Sequence, residues 1–411
     1  MAATTRGVST VAAHADGSRR TKLPGPVRLL GAVAFLMGTA EMIVSGLLPE
    51  VAHGLHVTDG DAGLLITAFA VGMIIGAPVM SMATLRLPPR ATLVIALLVF
   101  MAGHVAAALS DDFRVWLVAR FVCGAVTGTF WAVGAVLAAA AAGPAASVRA
   151  TAVIAGGLTL ANVLGVPIGT ALGQWLGWRS PFWTLAALAV TAAAVLAFTL
   201  PGSARGAAST LTAEMASLRK RPLWLVHLGA VLLPASFVCV YGYVAPLLTD
   251  RAGLAAAAVP PVMLGYGTAG ILGAVAGGRF GDRGPFRVAI PSVAMIAVVL
   301  AALTLWGADS VAAVVLFVLL GAVAMVAQPV LIATAGQLTA PTNTLAIALT
   351  VSSLNVGIAL GSWSGGAMLS SPLGLRGPSL LGTGIAALAV IALALAATSV
   401  RRSARPAARP H

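Results

Sequence analysis

GAPVMSMATLRLPPR (76–90) and GAVAGGRFGDRGPFR (273–287) are two versions of one pattern, in which Gly76, Arg86 and Arg90 fall on Gly273, Arg283 and Arg287 at a single offset of 197. Each stretch closes one apolar run and leads into the next. The same offset carries Pro49 onto Pro246, and an offset of 196 carries Gly165 and Gly169 onto Gly361 and Gly365. Several anchors at nearly one offset argue for an internal duplication rather than coincidence in a glycine- and alanine-rich chain. Parallel halves related by an axis along the membrane normal are a transporter architecture, with substrate held near the midplane between them.

The apolar runs around these loops agree with that reading. The chain has 411 residues, 59% of them hydrophobic and 9% charged, with a mean hydropathy of +1.01. A soluble globular domain carries about 25% charge, so a soluble enzyme, a disordered chain and a nucleic-acid module are excluded. Runs of roughly 20 residues suffice to cross a hydrocarbon core. Six fall near 28–49, 61–84, 91–109, 114–142, 149–173 and 181–200, and six more near 223–248, 259–278, 287–306, 311–336, 345–369 and 378–399. The expected fold is an all-α membrane protein of twelve transmembrane helices. A cytoplasmic tail (1–27), an N-terminal half (28–200), a cytoplasmic linker (201–222), a C-terminal half (223–399) and a second tail (400–411) divide it. The first run is longer than a signal-peptide core and has no convincing cleavage site, so it is read as a retained span.

Charge sets the orientation. With both termini cytoplasmic, 19 of the 24 Lys and Arg residues lie inside and 4 outside (Arg114, Arg179, Arg251 and Arg376), with Arg120 left within a span. That asymmetry satisfies the positive-inside rule and accounts for the net charge of +13 without nucleic acid. The expected location is a bacterial inner membrane. Cys123 and Cys239 sit in apolar runs away from any metal-ligand spacing, which excludes a zinc or disulfide framework. No cofactor or metal is expected.

Short motifs add a family resemblance. GGRFGDRGPFR (277–287) resembles the cytoplasmic loop signature of the major facilitator superfamily, and RFVCGAVTG (120–128) its arginine-bearing fourth-helix motif. GGLTLANVLGVPIGTALG (156–173) is similar to the glycine-proline motif of the antiporter branch. With GTAEMIVSGLLPEVA (38–52) and GWRSPFW (177–183), these resemble the drug:proton antiporters, most closely chloramphenicol exporters and sugar-efflux relatives. The resemblance implies that Asp282 with Arg283 latches helices in one access state, within a conformational motif that includes Gly278 and Arg287. The first-half loop LRLPPR (85–90) lacks the acid that Asp282 supplies in the second, so a symmetric latch does not follow.

Two charges lie inside spans. Glu41 sits mid-span between MGTA and MIVSG, and an ionisable group in hydrocarbon costs several kcal/mol, which makes it a functional candidate. Desolvation penalises its carboxylate, which suits it to take up and release a proton. It is read as the proton carrier, with a structural acid or a substrate contact as the other reading. Arg120, in the outer third of the fourth span, stays charged and needs acceptors. The resemblance suggests that it stabilises deprotonated Glu41; snorkelling toward the outer headgroups is the other reading, on which Lys would be tolerated.

Gly157, Gly165, Gly169 and Gly173 recur at intervals of four or eight in the fifth span, a smooth stripe along which another helix can approach, and Pro167 permits a bend. Such contacts suit halves that rock against each other, and the resemblance associates this motif with a seal against proton leak. The candidate substrate wall comprises Thr67, Met73, Trp131, Asn162, Phe237, Tyr241, Tyr243, Tyr266, Gln328 and Asn355. Aromatic faces and methionine with a few amides accommodate uncharged amphipathic drugs; each aromatic could instead face lipid. A sugar site would carry more carboxylates and amides. His104 has no partner at ligand spacing and reads as a packing histidine. No GxxxxGK[ST] stretch is present, so an ion gradient is the expected energy source. The expected activity is proton-coupled efflux of a small neutral antibiotic, chloramphenicol-like, or of sugars or other metabolites. The expected partners are that drug or metabolite, protons and the lipid bilayer, for a monomer that is not an enzyme.

Overall fold

Apolar runs bounded by Pro, Asp and Thr become helices with defined starts. The computed structural model describes residues 23–83, 88–143, 146–199, 221–281, 284–338 and 344–403. Twelve long helices lie among them. The first half holds α1 (Gly25–Gly46), α2 (Asp59–Ala83), α3 (Pro89–Leu109), α4 (Phe113–Ala142), α5 (147–176) and α6 (Ser180–Thr199). The second holds α7 (Arg221–Tyr241), α8 (Val259–Gly281), α9 (Pro285–Trp306), α10 (Ser310–Leu338), α11 (Thr344–Leu369) and α12 (Gly377–Ser403). No strand occurs among the described residues. Among the described residues, eleven stretches are long and apolar enough to cross a membrane, and α11 is the twelfth long helix.

Helix starts follow local chemistry. Prolines open α1, α3 and α9, where a missing N–H costs nothing. Thr58 Oγ1 accepts the Asp61 amide at 3.1 Å at the start of α2, and Asp309 Oδ1 accepts the Ala312 amide at 2.8 Å in α10, side-chain caps for otherwise orphaned donors. The first and seventh runs end as helices sooner than their apolar length suggests. α1 stops at Gly46 and a separate short helix, Leu48–Gly54, follows; α7 stops at Tyr241 and gives way to a turn, a single helical turn (Val244–Pro246) and a π-helical stretch (Leu247–Arg251). Pro49 and Pro246 lie in these second pieces, where neither can continue the ladder of the helix before it. In α5, Ser147–Leu160 passes through a π-helical turn, Ala161–Gly165, into Val166–Leu176. Pro167, which cannot donate, is absorbed by this local widening, a feature common at functional sites.

The duplication read from the sequence is repeated in the packing. α1 lies on α5, α2 on α4, and α3 on α4 and α6; α7 lies on α11, α8 on α10, and α9 on α10 and α12. Individual contacts repeat as well. A Cβ on Gly76 would overlap the Ala125 carbonyl, and one on Gly273 the Ala322 carbonyl; Gly124 lies on the Phe69 carbonyl as Gly321 lies on that of Tyr266. These are the same pairs at offset 197. At offset 196, Gly165 against Thr39 and Gly169 against Ile43 become Gly361 against Ala235 and Gly365 against Cys239. The α5 stripe therefore presses on α1 within its own half, not on the opposite half, and α11 treats α7 alike. Without water to drive association between helices in lipid, such close backbone approach supplies the dispersion contacts that hold them.

The halves meet along two main seams, α2 with α11 and α5 with α8, and at a smaller contact where Val244–Pro246 meets α1 and the short helix Leu48–Gly54. One apolar core joins the second half to the parts of the first farthest from the termini, from Met42 to Ile66 and from Ala107 to Ala119. A separate core, from Val27 to Ala40 and from Leu93 to Phe100, fills the first half nearer the termini. The bundle is thus sealed at the end away from the termini, and its two cores are distinct at the other.

Candidate functional site

Glu41 lies on α1, five residues before the helix ends, at the level where α2 and α4 cross it. Its side chain is half-buried, and among the described residues its carboxylate makes no hydrogen bond or ion pair. Arg120 reaches this level from α4 and is 2% exposed. Its guanidinium fork holds backbone, not carboxylate: Nη1 donates to the Ala40 carbonyl at 2.6 Å, Nη2 to that of Glu41 at 2.9 Å, and Nε to that of Leu65 at 3.2 Å. Its ζ-carbon lies 4.3 Å from the centre of the Phe69 ring. A buried cation is tolerable only with such acceptors and a π face. Arg120 thus fastens α4 to α1 and α2 beside Glu41, still close enough for electrostatic interaction with the carboxylate. Its guanidinium does not snorkel, and it is not ion-paired with Glu41.

Across from Glu41 stand rings of the second half. Tyr241 and Tyr266 lie 4.8 Å apart between centroids, with Phe317 4.9 Å from Tyr266 and 6.1 Å from Tyr241. The Glu41 charge is felt at Tyr241, and the Tyr266 hydroxyl is buried without a hydrogen-bond partner. On α11, Asn355 donates from Nδ2 to the Val351 carbonyl at 3.0 Å, while its Oδ1 is buried and unpartnered. Glu41 and the aromatic wall are thus joined through Tyr241, with one unsatisfied hydroxyl in that wall and a second unsatisfied polar atom on α11.

The remaining candidates separate by position. Asn162 lies in the π-helical turn where Gly267 of α8 approaches, at the α5–α8 seam, its Nδ2 3.2 Å from the Leu158 carbonyl. Trp131 is half-buried on α4, 5.6 Å from Phe130, and Gln328 is half-buried on α10. Met73 and Phe237 are packed within the two apolar cores. Thr67 approaches the Ala359 carbonyl at 3.5 Å across the α2–α11 seam. Tyr243 lies just beyond α7 and belongs to the same seam: its hydroxyl donates to the Ser362 carbonyl at 2.7 Å, and Ser362 Oγ donates to the Gly63 carbonyl at 2.9 Å. Asp282 and Arg283 lie outside the described residues. Arg287 is exposed, and Gly278 has open space where a Cβ would stand. His104 is buried as a packing histidine, its Nδ1 2.8 Å from the Phe100 carbonyl. No group of His, Cys, Asp and Glu that could hold a metal occurs among the described residues.

Phe69 and Phe317 escaped the sequence reading, since a phenylalanine in an apolar run gives no signal alone. The offset could have found them: Arg120 and Phe69 map onto Phe317 and Tyr266 at 197.

Comparison with known proteins places this geometry. The family model of the Major Facilitator Superfamily matches residues 30–344. A chloramphenicol resistance protein of Streptomyces lividans is 33% identical over 389 residues, covering 94% of this chain and 99% of that protein. The inner membrane transport protein YdhP of Escherichia coli K12 is 29% identical, covering 92% of this chain and 97% of its own length. Among solved structures, a bacterial homolog of the human lysosomal transporter Spinster, in an inward-facing and unoccupied conformation, superposes with a TM-score of 0.78 at 15% identity, over 93% of this chain and 98% of that one. A D-xylose-proton symporter gives 0.72 at 18% identity, over 89% and 95%.

Proposed function

We propose that this chain, which belongs to the major facilitator superfamily, is a proton-coupled exporter of small uncharged amphipathic antibiotics, phenicols first, in a bacterial inner membrane with both termini cytoplasmic. Its family and fold are those of multi-pass membrane transporters rather than of enzymes. The observation that carries the finer reading is the partnerless Glu41 carboxyl facing the wall of Tyr241, Tyr266 and Phe317. The likeness to a chloramphenicol resistance protein supports the substrate class.

A carboxyl at this depth alternates between a neutral form, tolerated in low dielectric, and a charged form that needs water or a donor. Drug enters from the cytoplasmic side, which is the open side when the halves are sealed away from the termini. Its ring packs on the aromatic wall, and its polar groups meet the Tyr266 hydroxyl and Asn355 Oδ1. Entry of drug displaces water around Glu41 and so competes with its charged form; protonation from outside and release inside reset the cycle. Arg120 positions the carboxyl by holding the α1 backbone on either side of it. Each ligand shifts the halves only by its differential affinity for the two access states.

Accumulation of labelled chloramphenicol in cells tests this directly. Wild type is expected to hold the drug low, and Glu41→Gln or a protonophore to raise it to the level of empty cells. Wild type indistinguishable from empty cells would remove phenicols as substrate. Export that survives both Glu41→Gln and the protonophore would remove proton coupling through Glu41.

A further inference from the structure

At the sealed end, between the halves, lies a cavity of about 480 Å³ lined by Glu50, His53, Gln174 and Trp178 of the first half and by Ala245 and Thr249 of the second. Glu50 stands on the short helix Leu48–Gly54, outside the spans. Its Oε2 is shut off from solvent and has no hydrogen-bond partner. Gln174, against the Glu50 carboxyl, sends its Nε2 across the seam to the Ala256 carbonyl at 3.0 Å. Closure of this end therefore buries a carboxyl that nothing on the opposite half compensates.

We propose that Glu50 is a second proton-binding group of the transporter, which takes a proton from the outside when the halves close over it and gives it back when they part. The proposal rests on the orientation and proton coupling given under Proposed function, and it adds a site that the central carboxyl does not explain.

The charged groups around the cavity leave Glu50 without a counter-ion. Asp59, at the start of α2, is close enough to repel it, and Asp250 faces Asp59 from the other half. Asp61 is held by Thr58 at 2.7 Å. Arg251 is turned into its own half, donating to the carbonyls of Thr304 at 2.8 Å and Leu375 at 3.3 Å. Arg179 is committed to Asp111 and to the face of Trp178. His53 lines the same cavity but is exposed. Burial pushes the Glu50 carboxyl up from its ordinary value and the Asp59 carboxylate adds to this, against its own backbone hydrogen bond and Gln174. Its proton is therefore held more tightly closed than open. Closure is favoured in acid and loses that advantage as pH rises through the raised value.

The test is maleimide labelling of Ala245→Cys, a cavity position 2% exposed in the closed form. It is done on purified full-length protein in detergent, where both faces are accessible, with the unsubstituted protein giving the background of buried Cys123 and Cys239. Each unit by which the Glu50 affinity differs between the states changes the open-to-closed ratio by up to about tenfold. Divided by the rate of the same variant unfolded in SDS at each pH, which removes the rise in thiolate with pH, labelling is expected to quicken severalfold from about pH 5.5 to about pH 8.5, and Glu50→Gln, a neutral isostere, to flatten this ratio at its low, acid-like value. His53→Gln keeps the step, and Asp250→Asn shrinks it without abolishing it. A wild type insensitive to pH overturns the proposal. So does a step that persists in Glu50→Gln or disappears in His53→Gln. The labelling uses no drug, so failure of phenicol export leaves this result to stand or fall alone.

Discussion

Where the first half sets Arg120 on the face of Phe69, the second sets Phe317 on the face of Tyr266. The four residues correspond at one offset, and the glycines behind the rings, Gly124 and Gly321, make the same backbone contact in both. One scaffold thus carries two chemistries. In the first half a buried cation ties three backbone carbonyls beside an acid; in the second, stacked rings fill the same place without charge. Packing geometry is conserved between halves because it depends on small residues and backbone approach, whereas the central side chains are free to specialise. In the exporter proposed above, ion handling falls to one half and the apolar face for substrate to the other.

The strongest challenge to that comparison is to its charged member. Arg120→Lys keeps the charge but replaces a planar fork with one ammonium, which cannot span carbonyls on two helices. It is expected to abolish transport and to cost about 3 kcal/mol in lost charge-assisted hydrogen bonds, read as a lowered melting temperature in detergent. Normal export by Arg120→Lys would mean that charge alone matters there. Next come the shared glycines. Gly76→Val and Gly273→Val each drive a side chain into a backbone carbonyl, so both should lose more than the about 1–3 kcal/mol usual for overpacking. Equal loss of folded protein on size-exclusion chromatography sharpens the symmetry, and a harmless substitution in one half breaks it.

A smaller effect separates wall from scaffold. Tyr266→Phe removes a buried hydroxyl with no partner, so stability should hold or rise by about 1 kcal/mol while drug binding by equilibrium dialysis weakens. Unchanged binding would remove that hydroxyl from the substrate site. The smallest effect is expected at Gly156→Ala, where a Cβ meets open space, whereas its neighbour Gly157 lies on the Gly31 carbonyl. Thermal melting should move within about 0.5 kcal/mol for Gly156→Ala and fall clearly for Gly157→Ala.

Gly157 and the stripe it begins show what could be read in advance. The spacing of Gly157, Gly165, Gly169 and Gly173 announces a close helix contact, but not that α1 is what they touch, since partner choice depends on how distant spans assemble. Helix positions were legible because apolar length is imposed by the bilayer. The ends of α1 and α7 were less so, although Gly46 and Gly242 mark both breaks; an apolar run continues past each of them. Glu41 and Arg120 stood out as charges in hydrocarbon. That Arg120 would bind carbonyls rather than the neighbouring carboxylate depends on backbone positions no spacing reveals. Tyr243 looked like part of the wall as an aromatic inside the seventh apolar run, yet α7 ends at Tyr241 and the Tyr243 hydroxyl turns to the seam.

The two seams have a mechanical consequence. Under the rotation that exchanges the halves, α2 becomes α8 and α11 becomes α5, so α2–α11 and α5–α8 are images of one joint. Neither can act as a fixed hinge about which the other swings, because the operation that relates them makes both clasps, and an axis along the membrane normal puts both at the same end. Parting must then be simultaneous: the hydroxyl-to-carbonyl link from Ser362 to Gly63 on one side and the Gln174 strap on the other have to yield together. The molecule behaves like a case with two latches and no hinge, and weakening either one should loosen the lid on both sides.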